Sequence, residues 1–240
     1  MRLREKTLLL ISTLLVSLIT VLYASLSYSL GRSFEKLEAE DTQRNVLRVK
    51  EALYEEIKQL NVSAEDYASW DDTYQYVVGE NAEYREINLI PESFAGLKIN
   101  AIALLDNEAK VVFGTGFDLT GETTTELPPG LKNQFVPENP LVTHNDEESE
   151  VTGILMLQDK AILLASQPIL TSAGNGPSRG TFLLGRYLGG DRIEALSERT
   201  KLNLKFYNLK ETLNDPGLAA IAEKLKNISG DAIEIQEIDR

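Results

Sequence analysis

The stretch D-Y-A-S-W-D-D-T-Y-Q-Y, Asp66–Tyr76, carries the only tryptophan of this 240-residue chain and three of its nine tyrosines. Aromatic rings alternate here with carboxylates, whereas a helix that only fills a core has a continuous apolar stripe. Ser63 and Asp66 stand three residues apart, a spacing that resembles a capping box. The pattern therefore predicts a helix that begins near Ala64 and carries the motif.

On such a helix, a rotation of about 100° per residue brings rings and carboxylates onto one face. Tyr67, Asp71 and Tyr74 share one strip, and Trp70 lies on the adjoining strip. Two interpretations stay open. The face lines a pocket for a polar or cationic small molecule, or its rings pack on a sheet while its aspartates cap backbone amides. Asp71 and Asp72 diverge by about 100°, which disfavours a joint role as catalytic acid and base.

Residues 7–30 form an apolar run without a single charge. Roughly 20 such residues cross the hydrocarbon core of a bilayer, so the run predicts a transmembrane helix. Arg2, Arg4 and Lys6 precede it, and the positive-inside rule then places everything from about residue 31 outside the cytoplasm. A cleaved signal peptide is the alternative, although its apolar core usually spans only about 7–15 residues.

Residues 32–60 have the three-and-four spacing of an amphipathic helix. The apolar stripe consists of Phe34, Leu37, Val46, Val49, Leu53, Ile57 and Leu60. We expect the C-terminal half to pack on the sheet of its own domain and the membrane-proximal half to form a homodimer with a second copy. A passive spacer is the alternative. The predicted organisation is a basic cytoplasmic end (1–6), a transmembrane helix (7–30), a helical stalk (31–62) and an extracytoplasmic domain (63–240).

Beyond the motif, apolar runs separated by turn signals predict strands. The predicted elements are strands at 97–105, 110–114, 151–157, 160–167 and 180–188, a helix at 191–200 and an edge strand at 202–207. The first two strands are expected to pair as a hairpin, and so are the next two, while residues 115–150 form a long irregular excursion. Five or six largely antiparallel strands behind a long N-terminal helix make an α+β fold with a sheet of PAS or Cache type.

The composition disfavours several kinds of chemistry. The chain has no cysteine, which rules out disulfides, thiolate metal sites and cysteine nucleophiles. Its single histidine, His144, lies in an acidic loop-like stretch, so we expect no metal centre and no cofactor. A net charge of −13 repels nucleic acid, and none is expected as a partner. The glycines of residues 171–179 lack a following G-K-S/T and indicate a hairpin turn rather than a phosphate loop.

The stretches S-F-E-K-L-E, R-N-V-L-R-V-K-E-A-L and D-Y-A-S-W-D-D-T-Y-Q-Y resemble the type-four CHASE domain, one of the cyclase/histidine-kinase-associated sensory extracellular families. The likeness continues through N-L-I-P-E-S-F-A-G-L-K-I-N-A-I-A-L-L-D to S-Q-P-I-L and G-R-Y-L, and it covers roughly residues 33–210. Tyr67 stands where the family commonly has tryptophan, so an aromatic ring is kept and an indole N–H is lost. The resemblance implies an extracytoplasmic input domain and supplies no known ligand.

Three further polar residues, Asn88, Asn100 and Arg186, lie among apolar neighbours in the sequence. Each of them either faces a pocket or acts as a cap or a surface group. The residues predicted to contact a ligand are Tyr67, Trp70, Asp71, Tyr74, Asn88, Asn100 and Arg186. The ligand itself is expected to be a small molecule that the sequence does not identify.

Together these features predict the ligand-sensing input domain of a bacterial inner-membrane receptor, of the histidine kinase or cyclic-dinucleotide enzyme type, whose catalytic output lies outside this chain. The last residues, E-I-Q-E-I-D-R, have the pattern of an interrupted strand, and we expect the chain to be a fragment of such a receptor. Two alternatives stay open: an anchored scaffold or adhesion module, and an anchored hydrolase that uses Asp71 or Asp72.

Overall fold

The computed structural model describes residues 3–208, apart from 145, 159 and 175, and residues 216–226. The chain divides into two compact units, one formed by residues 1–48 with 213–240 and the other by residues 49–212. The interrupted strand predicted at the C-terminus lies outside the described residues.

In the first unit, helix α1 (Leu3–Ala68) begins and carries the apolar run. Within residues 7–30 every large apolar side chain is 48% exposed or more, and the helix is long and apolar enough to cross a membrane. The hydroxyls of Thr7, Thr13 and Thr20 donate to backbone carbonyls four residues earlier. Polar groups are thereby satisfied within the helix, as an apolar surrounding requires. The described part of this unit also contains a helix at Pro216–Lys226.

The break predicted near residue 62 is wrong, because α1 continues without interruption to Ala68. Asn61 does not compete with the helix backbone, since its side-chain amide donates to Glu150 at 2.6 Å and accepts from Gln167 at 2.7 Å. Ser63 is no N-cap either, and its hydroxyl donates to the Gln59 carbonyl within the helix.

The second unit is built on one six-stranded sheet in which every pair of neighbours is antiparallel. The strands are β1 (Ala101–Leu105), β2 (Val111–Asp118), β3 (Thr123–Thr125), β4 (Val151–Leu157), β5 (Lys160–Pro168) and β6 (Thr181–Tyr187). Their order is β3-β2-β1-β6-β5-β4. The short helices are α2 (Asp71–Tyr76), α3 (Tyr84–Asn88), α4 (Pro91–Leu97) and α5 (Gly190–Thr200), with a 3-10 turn at Lys132–Gln134.

Two predicted strands differ from the structure. The strand predicted at 97–105 begins only at Ala101, because α4, with Pro91 in its first turn, extends to Leu97 and Lys98, with φ 52°, ends that helix in the left-handed region. Residues 202–207 form no strand despite their alternating pattern. Both predicted hairpins, the fifth strand and the helix after it are confirmed. The excursion before β4 contains β3 and the 3-10 turn.

Each face of the sheet carries its own apolar cluster. On one face, Leu60, Ala64 and Ala68 of α1 are fully buried together with Phe94 of α4 and Phe182 of β6. The other face is covered by the segment between β3 and β4, and that cluster comprises Ala101, Ala103, Leu105, Leu127, Leu131, Leu157, Ile162, Leu164 and Leu183. The predicted α+β fold, a long N-terminal helix followed by a mostly antiparallel sheet of five to six strands with short helices, is confirmed.

Candidate functional site

The aromatic and acidic motif spans the end of α1 and the start of α2. Tyr67 lies on α1, Trp70 is extended (φ −91°, ψ 136°), and Asp71 and Tyr74 belong to α2. The predicted single helical strip is therefore wrong. The Tyr67 and Trp70 rings nevertheless stack with their centroids 4.4 Å apart, and Tyr67 also contacts the Phe182 ring at 5.9 Å. The break turns the motif into a corner in which two rings meet.

Asp71 connects this corner to the β5–β6 loop (residues 169–180). The Ser172 N–H donates to the Asp71 carboxylate at 3.0 Å, and the Asp71 N–H donates to the Ser172 hydroxyl at 3.1 Å. Asp72 instead accepts from the side-chain amide of Asn81 at 3.0 Å. The two carboxylates thus bind different segments and do not converge on one point.

Tyr74 and Arg179 make the second connection between α2 and the β5–β6 loop. The Arg179 guanidinium lies 3.9 Å from the centre of the Tyr74 ring and donates to the Tyr74 carbonyl at 3.1 Å. The Tyr74 hydroxyl donates to the Pro177 carbonyl at 3.1 Å, and Glu80 pairs with Arg179 at 3.5 Å. In this structure the polar groups of the motif hold a loop, which is the packing and capping interpretation. Ligand contact by Tyr67, Trp70, Asp71 and Tyr74 stays a prediction.

Beneath the motif, Thr73 is fully buried and links two tyrosines. Its hydroxyl donates to the Tyr67 carbonyl at 2.7 Å and lies 2.8 Å from the Tyr84 hydroxyl. Burial raises the pKa of Tyr84, and burial likewise raises the pKa of Tyr67. Both phenols therefore stay neutral and serve as hydrogen-bonding groups rather than as bases.

Glu56 of α1 is the centre of a cluster of three arginines. Its carboxylate lies 3.3 Å from the Arg186 guanidinium and 3.5 Å from those of Arg192 and Arg199. Arg186 is the most buried, with 8% of its side chain exposed, and it also donates to the carbonyls of Leu97 and Lys98 at the end of α4. Burial lowers the pKa of Arg186, and the neighbouring Arg192 lowers it further. The cluster therefore joins α1, β6, α4 and α5.

Asn100 and Asn88 have different surroundings. The Asn100 side chain donates to the Phe117 carbonyl at 3.2 Å and accepts from the Tyr187 N–H at 2.9 Å, so it bridges β2 and β6 beside the start of β1. Asn88 is the half-buried last residue of α3. Asn100 and Arg186 have structural partners on the same edge of the sheet, and ligand contact by either, or by Asn88, stays a prediction.

A cleft of about 530 Å³ opens at this edge of the sheet. Its size falls within the range of about 300–1,000 Å³ that is usual for small-molecule sites. The lining residues are Ala95, Lys98, Asn100, Asp118, Leu119, Thr120, Glu122, Tyr187, Gly189, Gly190, Asp191, Arg192 and Ala195. Asn100 is the one predicted contact among them, and no residue of Asp66–Tyr76 lines the cleft. Arg192 belongs both to the cleft and to the Glu56 cluster.

The described residues offer neither a metal site nor a phosphate loop. Within them no group of three carboxylate or histidine side chains could hold a metal ion. Gly174 and Gly176 of the β5–β6 loop have φ +66° and +92°, as tight turns require, and a strand rather than a helix follows. His144 packs against the sheet and not in open solvent, since its ring contacts Ser149 and lies 3.3 Å from the Ser166 hydroxyl.

The sequence analysis missed Glu56, Arg192 and Arg199. Arg192 and Arg199 are seven residues apart on α5, which puts them on one helix face, and this spacing was the available signal. Glu56 is one of several charged residues of α1, and only the folded structure distinguishes it from exposed neighbours such as Glu55.

A long N-terminal helix with an apolar start packs through its C-terminal part on an antiparallel sheet that has a polar cleft at one edge, and this architecture is that of a sensory domain family. The chain belongs to the CHASE4 domain family, whose sequence profile matches residues 52–207. The match coincides closely with the second compact unit, residues 49–212.

A curated relative is the methanogenesis regulatory histidine kinase FilI of Methanothrix harundinacea (strain 6Ac), which is 34% identical over 155 residues. The match covers 64% of this chain and spans 17% of the length of that relative. The chain is therefore homologous to the sensory part of a histidine kinase.

Two solved structures are similar in fold. A domain of a putative sensory box/GGDEF family protein from Vibrio parahaemolyticus has a TM-score of 0.40 and 14% identity over 62% of this chain and 65% of that one. The extracellular domain of the putative histidine kinase vpHK1S-Z8 has a TM-score of 0.47 and 15% identity over 67% of this chain and 59% of that one.

Proposed function

We propose that this chain is the extracytoplasmic ligand-sensing part of a transmembrane signalling receptor, of the histidine kinase or cyclic-dinucleotide enzyme type. The observation that carries the proposal is α1, which continues from an apolar run of membrane-spanning length into the core of a CHASE4 domain. Homology to a histidine kinase supports the same conclusion. Any catalytic output belongs to parts of the receptor other than this sensory domain.

In the proposed topology the N-terminus is cytoplasmic, residues 7–30 span the inner membrane, and residues from about 31 are extracytoplasmic. The natural chain has no cysteine, so single-cysteine variants report topology without background. In intact cells, a membrane-impermeant maleimide should label Lys132→Cys and leave Leu3→Cys unlabelled until the cells are lysed. Labelling of Leu3→Cys before lysis contradicts this orientation.

We propose further that the receptor is a homodimer through the stalk, residues 31–62. Phe34 and Leu37 are 66% and 52% exposed, and apolar side chains on one face of a helix favour pairing with a second copy. Oxidation should cross-link Leu37→Cys between protomers in native membranes far more than Glu38→Cys, which lies on the next face. Equal cross-linking at both positions indicates random collision and contradicts the dimer.

Signalling in this proposal depends on the Glu56 cluster. A ligand changes the output only if it binds two arrangements of the domain with different affinities. The cluster is where such arrangements would differ, because its ion pairs connect β6 and α5 to α1. A ligand that binds the folded domain raises its melting temperature by mass action. A broad small-molecule screen on the well-folded full chain in lipid nanodiscs should yield at least one ligand that raises it. A screen without any shift contradicts ligand sensing.

Trp70→Ala then distinguishes the two roles of the aromatic motif. If Tyr67, Trp70, Asp71 and Tyr74 contact the ligand, the variant loses the ligand-induced shift. If the motif only packs against the sheet and holds the β5–β6 loop, the variant melts at a lower temperature and keeps the shift. Phe113→Ala, a partly buried aromatic truncation outside the motif, is the matched control.

A further inference from the structure

The Glu56 cluster has more positive than negative charge. Three guanidiniums surround one carboxylate, and repulsion from Arg192 contributes to the lowered pKa of Arg186. Like charges that are partly withdrawn from water are unfavourable unless an anion compensates them. Arg186 and Glu56 are 8% and 16% exposed, whereas Arg192 is 22% exposed and reaches the cleft. The cleft is therefore where a second anion can reach the cluster.

The cleft is lined by both cations and carboxylates. Lys98, at the end of α4, and Arg192, in the first turn of α5, are its cations. Lys98 forms no ion pair among the described residues. The N-terminus of α5 adds the positive end of the helix dipole, because no side-chain hydrogen bond caps this end of the helix. The last residue of β2, Asp118, and the turn residue before β3, Glu122, supply two carboxylates.

A third carboxylate, Asp191, follows the α5 N-terminus and also lines the cleft. With three carboxylates against two cations, the lining already has a net negative charge, which makes the cleft unfavourable for a phosphate or a dicarboxylate. A ligand with one negative and one positive group matches both kinds of lining charge.

We propose that this cleft binds a small zwitterion that carries one carboxylate and one ammonium group. The carboxylate pairs with Arg192 and Lys98, where it competes with Glu56 for the Arg192 guanidinium, and the ammonium pairs with Asp118 and Glu122. The volume of about 530 Å³ accommodates a molecule of amino-acid size with several waters. This inference rests on the proposed sensing function and names the ligand class and the place of binding.

The probes are the standard L-amino acids, each compared with its amide, which lacks the carboxylate, and its N-acetyl form, which lacks the ammonium. Melting of the full chain in lipid nanodiscs is followed by the fluorescence of its single tryptophan. At about 100 times the dissociation constant, a bound amino acid should raise the melting temperature by about 5–10 °C. The amide and the N-acetyl form of that amino acid should each give less than about a quarter of the shift.

Variants then locate the site. Lys98→Gln and Asp118→Asn change only the cleft and not the Glu56 cluster, so each should fold and each should weaken amino-acid binding by about tenfold or more. Lys132→Gln, an exposed change outside the cleft, should bind as the natural chain does. Unchanged affinity in Lys98→Gln and Asp118→Asn overturns the site. An equal shift from the amide or the N-acetyl form overturns the zwitterion class. If no amino acid binds but another compound does, the inference fails while the sensing function stands.

Discussion

Replacement of Glu56 by Gln removes the carboxylate that three arginines share and keeps the size of the side chain. The Arg186 guanidinium would then retain the carbonyls of Leu97 and Lys98 but lose its counter-charge. Because Arg186 is 8% exposed, solvent cannot replace the lost carboxylate. We therefore expect Glu56→Gln to lower the free energy of unfolding substantially.

The magnitude follows from the exposure of each partner. Removal of one partner from a buried ion pair costs about 3–5 kcal/mol, whereas exposed pairs contribute about 0–1 kcal/mol. Arg186 is close to the buried limit, Arg192 is intermediate at 22% exposed, and Arg199 is close to the exposed limit at 42%. These exposed fractions predict that Glu56→Gln lowers the free energy of unfolding by about 2–4 kcal/mol. For a domain of this size, that loss corresponds to a decrease in melting temperature of about 4–16 °C.

The assay is urea unfolding of the full chain in nanodiscs, followed by the fluorescence of Trp70 and by circular dichroism. Glu55→Gln is the matched control, since Glu55 is the exposed neighbour on α1 and should change the free energy by less than about 0.5 kcal/mol. Addition of Arg192→Gln to Glu56→Gln should recover part of the loss, because the two positions share one interaction and two cations then remain where there were three. Equal stability of the Glu56 and Glu55 variants, or strict additivity with Arg192→Gln, would refute the reasoning.

Three further changes have direct structural expectations. Gly180→Ala should destabilise by about 2 kcal/mol or more in the same unfolding assay, because Gly180 has φ +143° and an added Cβ would overlap the Leu105 carbonyl; Gly153→Ala, with open space around it, is the near-neutral control. Thr73→Val should cost about 1–3 kcal/mol by leaving a buried phenol and a carbonyl without their partner, and a loss below 0.5 kcal/mol contradicts that role. Burial lowers the pKa of His144 from 6.5, so the unfolded chain binds more protons, and stability should fall as the pH drops below about 6.5; His144→Gln should remove this component of the pH dependence below about pH 6.5, and an unchanged slope counts against it.

Local sequence patterns predicted most of the elements. The hairpins at β1–β2 and β4–β5 follow from alternating or apolar runs around short turns, and α5 follows from its apolar spacing. Residues 202–207 show where such patterns fail. Alternation describes a half-buried strand, but a strand also needs a neighbour with free backbone groups, and the sequence contains no information on whether one is within reach.

The aromatic motif is a second case in which a local sequence pattern did not predict the structure. Its composition identified the family, yet the helix break lies at Trp70 rather than before Ala64. A polar Asn61 commonly interrupts a helix through its own backbone hydrogen bonds. Here Gln167, more than a hundred residues away, provides a better partner, so the helix continues.

By itself the sequence determined the apolar N-terminal run, the amphipathic stalk, most strands and the CHASE4 membership, because each depends on residue type and on spacing along one element. Tertiary structure decided which charges meet. Glu56 and Arg186 are 130 residues apart and form an ion pair only because α1 packs across β6. Coulomb energy depends on the distance between charges in space, and desolvation depends on burial. Neither the distance nor the burial follows from the positions of the residues along the sequence.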